Sequence, residues 1–168
     1  VLGINRHKKK ILPPELDWHG TSDELDKLLI ESDYILLACD LNDSTYNMIN
    51  EEKLKKMKES AFLINIARGD VCNEEDLYKH LKGKKIAGAA IDTWWIYPYT
   101  DKKNKNPKPS NLPFHELDNL IMSPHNSSHT LESDIRRAEY MSDNFKAFKK
   151  GLDVPGFVFY GTGTKQEV

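Results

Sequence analysis

The chain has 168 residues, a formal net charge of −2 and two cysteines, which excludes a disulfide scaffold and leaves no electrostatic case for binding nucleic acid or an anionic membrane surface. Its 39% hydrophobic and 30% charged content marks a folded chain of one-domain size rather than a disordered one. No apolar run approaches the roughly 20 residues of a membrane span, and no signal peptide opens the sequence. Cys39 and Cys72 sit in or beside apolar segments, so both are expected as buried, reduced thiols of a cytoplasmic protein.

Val1–Ile4 reads as a strand already under way, followed by a polar stretch with Pro13-Pro14. Thr21 opens a helix with Glu24 three residues on, a capping box, and Leu25, Leu28 and Leu29 form its apolar face. Tyr34–Cys39 is a continuous apolar run, the pattern of a strand buried on both faces. Asn50 caps a helix with Leu54 and Met57 facing inward. Ala61–Ala67 is a strand. Asn73 caps a helix carrying Leu77 and Leu81, which Gly83 ends. Ile86–Ile91 is a strand of small residues, 97–113 a surface loop, and Leu120–Ser123 a short strand. Thr130 caps the longest helix, with Leu131, Ile135, Ala138, Met141, Phe145 and Phe148 at spacings of three and four, and Gly151 ends it. A last apolar run, Phe157–Tyr160, precedes a Gly/Thr-rich end. The lysine-rich stretches Lys8–Lys10, Lys53–Lys58 and Lys82–Lys85 are read as solvated faces. Strand alternating with helix predicts an α/β fold, a partial Rossmann-type doubly wound parallel sheet with helices on both faces and right-handed crossovers.

Open parallel sheets bind ligands at the carboxyl ends of their strands. That rule selects Asp40, Leu41, Asn42 and Thr45 after the second buried strand, Arg68-Gly69 after the third, Asp92 after the fourth, and Pro124-His125 after the last. An arginine supplies a fixed planar cation for a carboxylate. An aspartate supplies an acceptor, and a histidine moves protons near neutral pH.

The segments Ala-Phe-Leu-Ile-Asn-Ile-Ala-Arg-Gly (61–69), Glu-Glu-Asp-Leu (74–77), Ala-Gly-Ala-Ala-Ile-Asp (87–92) and Ser-Pro-His (123–125) resemble the D-isomer-specific 2-hydroxyacid dehydrogenases in order and spacing, from about Val1 to Gly151. The run 36–45 matches the strand and loop before that family's cofactor-contacting threonine, with Asp40 where proline is usual. The resemblance implies a nicotinamide-dependent oxidoreductase acting between a small 2-oxo acid and its D-2-hydroxy acid, a homodimer joined through the cofactor domain. It implies Arg68 as ligand of the substrate carboxylate and carbonyl, His125 as acid/base and Asp92 as holder of the nicotinamide carboxamide. Thr45 and the backbone of Cys39, Asp40 and Leu41 border the dinucleotide, and Ala67 lies against the nicotinamide.

Three departures sharpen the expectation. Tyr97 stands before Pro98, in the place of the family's glutamate that pairs with the histidine; a phenol hydrogen-bonds without supplying charge. Formate dehydrogenases, of the same superfamily, carry a Trp-rich stretch with glutamine there, so Trp94-Trp95 keeps formate- or phosphite-type oxidation as an alternative, alongside a dinucleotide-sensing, corepressor-like binding protein. The first strand ends Asn5-Arg6 with no carboxylate for a ribose 2′-hydroxyl, and Arg6 suits a 2′-phosphate, which favours NADP over NAD. No Gly-x-Gly-x-x-Gly occurs; Gly161-x-Gly163 follows the wrong elements. The expected organisation is therefore an incomplete dinucleotide-binding domain over residues 1–151, lacking its Gly-rich loop, and a return segment over 152–168 towards a substrate domain, the chain by itself being inactive.

Overall fold

A computed structural model describes residues 1–7, 12–97 and 108–154. The expectations at Lys8–Lys10, Pro98, most of the loop 97–113, Phe157–Tyr160 and Gly161-x-Gly163 lie outside these residues. The chain forms two compact units, Val1–Ser127 and Ser128–Val168.

In the first unit, β1 (Leu2–Ile4) pairs in parallel with β2 (Trp18–Gly20). A second parallel sheet has the order β3-β4-β5-β6, from Tyr34–Leu37, Phe62–Asn65, Gly88–Ile91 and Leu120–Met122. Every strand pair in both sheets is parallel. That is the expected parallel α/β class.

The connecting helices form where their caps predict. Glu24 accepts a hydrogen bond from the Thr21 N–H at 3.1 Å ahead of α1 (Leu25–Glu31). The side chain of Asn50 accepts from the Lys53 N–H at α2 (Glu51–Leu54), and that of Asn73 from the Asp76 N–H at α3 (Glu74–Lys82). These side chains satisfy N–H groups that a first helical turn leaves unpaired. Leu25, Leu29, Leu54, Met57, Leu77 and Leu81 bury their faces against Ile35, Leu37, Leu63, Ala89 and Ile91 of the sheet.

Two expectations are corrected. In β3, side chains alternate: Ile35 and Leu37 are buried, whereas Tyr34 is 71% and Leu36 58% exposed. The continuous apolar run thus does not mean burial on both faces here. Tyr34 stacks on Phe62 of the neighbouring strand, centroids 5.6 Å apart, a cross-strand pair on that open side. The lysines of 53–58 are not simply solvated. Lys53 and Lys56 both reach Asp26 of α1, at 2.5 and 3.1 Å, and Lys58 reaches Asp33 at 2.8 Å. They tie α2 and the turn after it to α1.

The aromatic residues after β5 are mainly core. Trp94 meets Trp95 and Phe114 edge-on, and Trp95 stacks on Phe114 at 5.3 Å. Of the two cysteines, both free, Cys72 is buried and Cys39 only half-buried. Burial pushes both thiols up, so they stay protonated near neutral pH.

In the second unit, α4 (Leu131–Lys149) opens on a reciprocal box. The Thr130 hydroxyl accepts from the Ser133 N–H, and the Ser133 hydroxyl accepts from the Thr130 N–H. Gly151, at φ +66°, closes the helix: its N–H donates to the Phe148 carbonyl and that of Leu152 to the Ala147 carbonyl. Leu131, Ile135, Met141, Phe145 and Phe148 are exposed. Among the described residues no helix is long and apolar enough to cross a membrane.

Candidate active site

The register across the second sheet aligns Leu37 with Asn65, Asn65 with Ile91, and Ile91 with Met122. These four residues make one row at the carboxyl ends, with neighbouring backbones about 5 Å apart. The segments that leave the row are the ones selected from sequence: Cys39–Thr45, Ala67-Arg68, Asp92 and Ser123–His125.

Asn65, buried at the end of β4, builds the turn that carries Arg68. Its Oδ1 accepts the Ala67 N–H at 3.0 Å, and its Nδ2 donates to the Arg68 carbonyl at 2.9 Å. Thr93 adds a hydroxyl to the same Oδ1 at 3.3 Å. Ala67 is thereby buried and Arg68 projects outward, exposed. The guanidinium touches the Ala67 carbonyl at 2.6 Å, and no carboxylate pairs with it among the described residues. Gly69 packs on the backbone after β5. A Cβ there would stand 2.5 Å from the Trp94 carbonyl carbon and oxygen, so only glycine lets the arginine turn and the Trp94-Trp95 segment meet.

The loop after β3 closes on Thr45. Its hydroxyl donates to the Asp40 carbonyl at 2.7 Å and accepts the Asn42 N–H at 2.9 Å. Asp40 and Leu41 are exposed, and Thr45 is half-buried. The next residues join the arginine turn: Asn47 N–H donates to the Asp70 carbonyl and Ile49 N–H to that of Val71.

Asp92 is buried and surrounded by donors from the Ser123–Ser127 turn. Its Oδ1 accepts from the Ser123 hydroxyl (2.6 Å) and the Asn126 N–H (3.0 Å), its Oδ2 from the Ser127 hydroxyl (2.6 Å) and the Ser127 N–H (3.2 Å). Burial alone pushes the carboxyl up; the hydroxyls of Ser123 and Ser127 and the two amides more than offset it and hold it at about 2. Its carboxylate accepts four hydrogen bonds from residues 123, 126 and 127. His125, within the turn, is exposed and stands at φ +59°. The Tyr97 ring lies 5.5 Å from its imidazole at 51°. The phenol oxygen accepts the Trp94 N–H at 3.1 Å.

At the end of β1, the Asn5 carbonyl oxygen Oδ1 meets His19 Nε2 of β2 at 3.0 Å. Arg6 is exposed and without an ion pair among the described residues. Sequence reasoning quoted Asn65 inside a motif yet gave it no role, and it passed over Thr93, Ser127 and His19. An asparagine closing an apolar strand, a poor strand residue, was the available signal for Asn65. Ser127 and His19 carried none.

A parallel sheet that carries an arginine, a buried carboxylate and a histidine after three successive strands defines an α/β domain with its candidate site along the carboxyl edge of the sheet. Residues 1–127 match the family described as D-isomer specific 2-hydroxyacid dehydrogenase, NAD binding domain, and the chain belongs to that family. Relatives include glyoxylate reductases of Korarchaeum cryptofilum, 40% identical over 134 residues (80% of this chain, 38% of the relative), and of Pyrococcus horikoshii, 37% over 158 residues (94% and 44%). The chain thus spans about two-fifths of the curated relatives' length. Among solved structures, D-lactate dehydrogenase with NAD+ from Lactobacillus jensenii is 27% identical at a TM-score of 0.74, covering 95% of this chain and 48% of that one.

Proposed function

We propose that the protein carrying this chain transfers hydride between a nicotinamide cofactor and a small 2-oxo acid, yielding the D-2-hydroxy acid, with glyoxylate as a substrate. The observation that carries this is Arg68: an exposed guanidinium, lifted out of the sheet by Asn65 and unpaired with any carboxylate among the described residues. It is free to take a substrate carboxylate in a two-point grip and to polarise the adjoining carbonyl. His125, beyond the next two strands in the row, gives the proton to the oxygen that becomes the hydroxyl and takes it back in oxidation. The glyoxylate reductases among the relatives support this substrate class.

The residues present fit the nicotinamide half of a dinucleotide. Arg68 and Arg6 are exposed cations with no carboxylate partner among the described residues, and Thr45 is half-buried at the loop after β3. The cofactor supplies the hydride when bound. Cys39, Asp40, Leu41 and Thr45 border it, and Ala67 backs its ring. Asn5, steadied by His19, and Arg6 take a ribose 2′-phosphate, which makes NADP the preferred cofactor. The whole protein is, on this reading, a cytoplasmic homodimer.

Assay of the full-length protein with glyoxylate, hydroxypyruvate and pyruvate, each with NADPH and with NADH, tests the proposal. Turnover of at least one of these acids, with a lower KM for NADPH, is the expected result. Failure with all three removes the activity, and a clear NADH preference removes the role of Asn5 and Arg6.

A further inference from the structure

We infer that His19 is a specificity-determining positioning residue: it turns the Asn5 side-chain amide so that the NH2 group, a donor, is what the end of β1 offers a dinucleotide. As a statement about NADP this rests on the proposed function; as a statement about the amide it rests on the contact between two strands. The register pairs His19 of β2 with Gly3 of β1. Asn5 lies two residues beyond Gly3, on the same side of the strand. A Cβ at Gly3 would stand 3.1 Å from Leu16 Cδ2 and 3.9 Å from the His19 ring carbon Cδ2. Because Gly3 has no side chain, the imidazole has room beside β1, and its Nε2 meets Asn5 Oδ1 at 3.0 Å.

The partners fix where the ring proton sits. Asn5 Oδ1 only accepts, so His19 Nε2 carries the hydrogen. His19 is 5% exposed, and its Nδ1 is buried with no hydrogen-bond partner among the described residues. A second proton there would be buried without an acceptor. The same strand holds the Asn5 backbone, whose N–H donates to the Gly20 carbonyl at 3.2 Å. With Oδ1 committed to His19, the exposed Asn5 has its Nδ2 left for a ligand. Two N–H donors suit a phosphate, whose charged oxygens accept strong hydrogen bonds, better than they suit a neutral hydroxyl. The reversed amide would turn its oxygen towards the phosphate oxygens and repel them. Arg6, exposed beside it, adds charge; His19 adds orientation.

The experiment uses the full-length protein. The Kd for NADPH and for NADH is measured for the parent, His19→Gln and His19→Asn, and nitrogen NMR of the His19 ring is recorded for the parent. The spectrum should show the hydrogen on Nε2 and a bare Nδ1. Glutamine places an amide N–H near where Nε2 stands, whereas asparagine is too short to reach Asn5. In His19→Asn the NADPH Kd should rise by about 3- to 10-fold, the range for ordering one freed side chain on binding. The NADH Kd should stay within about twofold of the parent's, as where no contact is lost. His19→Gln should bring the NADPH Kd back to within about twofold. An unchanged NADPH Kd in His19→Asn overturns the inference, and so does an equal rise for both dinucleotides, the mark of a merely structural role. A hydrogen on Nδ1 with a bare Nε2 overturns it as well, since Asn5 would then give its NH2 to the histidine; this measurement needs no variant to fold. If the parent binds NADH more tightly than NADPH, the proposed NADP preference fails. The inference then stands if His19→Asn still shifts the ratio of the two Kd values towards NADH, and falls if the ratio is unchanged.

Discussion

The Tyr97 ring and the His125 imidazole lie 5.5 Å apart, tilted by 51°, so the histidine of the candidate site has an aromatic neighbour where the family resemblance implies a carboxylate. The phenol oxygen accepts the Trp94 N–H at 3.1 Å. Exchanging Tyr97 for Glu puts a negative charge beside the imidazole and favours its protonated form. Reduction needs that form, so the alkaline limb of the reduction rate should move to higher pH in Tyr97→Glu. Oxidation needs the neutral form, so its acid limb should move the same way. Paired pH–rate profiles of the two proteins check this; superimposable profiles would remove Tyr97 from the surroundings of the proton transfer.

Arg68→Lys replaces a planar fork with a point charge. Loss of one charge-assisted hydrogen bond should lower kcat/KM for the 2-oxo acid by roughly 10- to 100-fold. The effect should fall on the acid's KM and on the rate, leaving the cofactor KM nearly unchanged. Steady-state kinetics with each substrate varied in turn is the check.

Gly69→Ala should destabilise the first unit. The new methyl would stand 2.5 Å from the Trp94 backbone, and backbone yields less readily than the end of a flexible side chain. A cost of about 1–3 kcal/mol follows for overpacking of this kind, with lost activity as the arginine turn shifts. Urea unfolding midpoints for the variant and parent measure it.

Asn65→Ala strips the acceptor of the Ala67 N–H and the donor to the Arg68 carbonyl. Both groups lie in a buried or half-buried setting, so the loss should cost about 2–3 kcal/mol. It should also raise the KM for the acid, because the arginine turn loses its brace.

Asp92 makes stability depend on acid pH. Its folded-state value, about 2, lies below the ordinary 3.8. The stabilisation is therefore complete above pH 4 and is lost as pH falls from there towards 2. It amounts to about 2 kcal/mol at neutral pH. Thermal midpoints between pH 7 and 2.5 should fall less steeply at the acid end in Asp92→Asn than in the parent protein.

Much of the fold was legible because its signals are local. Asn50, Asn73 and Thr130 cap helices through short side-chain bonds to their own first turns. Leu77 and Leu81 share one helical face and are fully buried. Arg68 and His125 were selected because strand ends in a parallel sheet are where ligands sit, and that rule needs only the order of elements. The open side of β3 was not legible: a run of apolar side chains such as Tyr34–Cys39 reads the same whether one face or both are covered.

The sequence by itself determined the parallel α/β class, the family, and the residues at the strand ends, since each depends on periodicity, capping chemistry or a short motif. Only the tertiary structure decided what those residues do for one another. While Asn65 braces the arginine turn through bonds two and three residues along its own chain, that Asp92 gives its carboxylate to residues 123–127 and that Tyr97 faces His125 follow from the register of β5 and β6. Partners 26 to 35 residues apart meet there because hydrogen-bonded strands align their carboxyl ends. A buried carboxylate must be met by donors wherever in the chain they come from, and the fold, not the local sequence, chooses which.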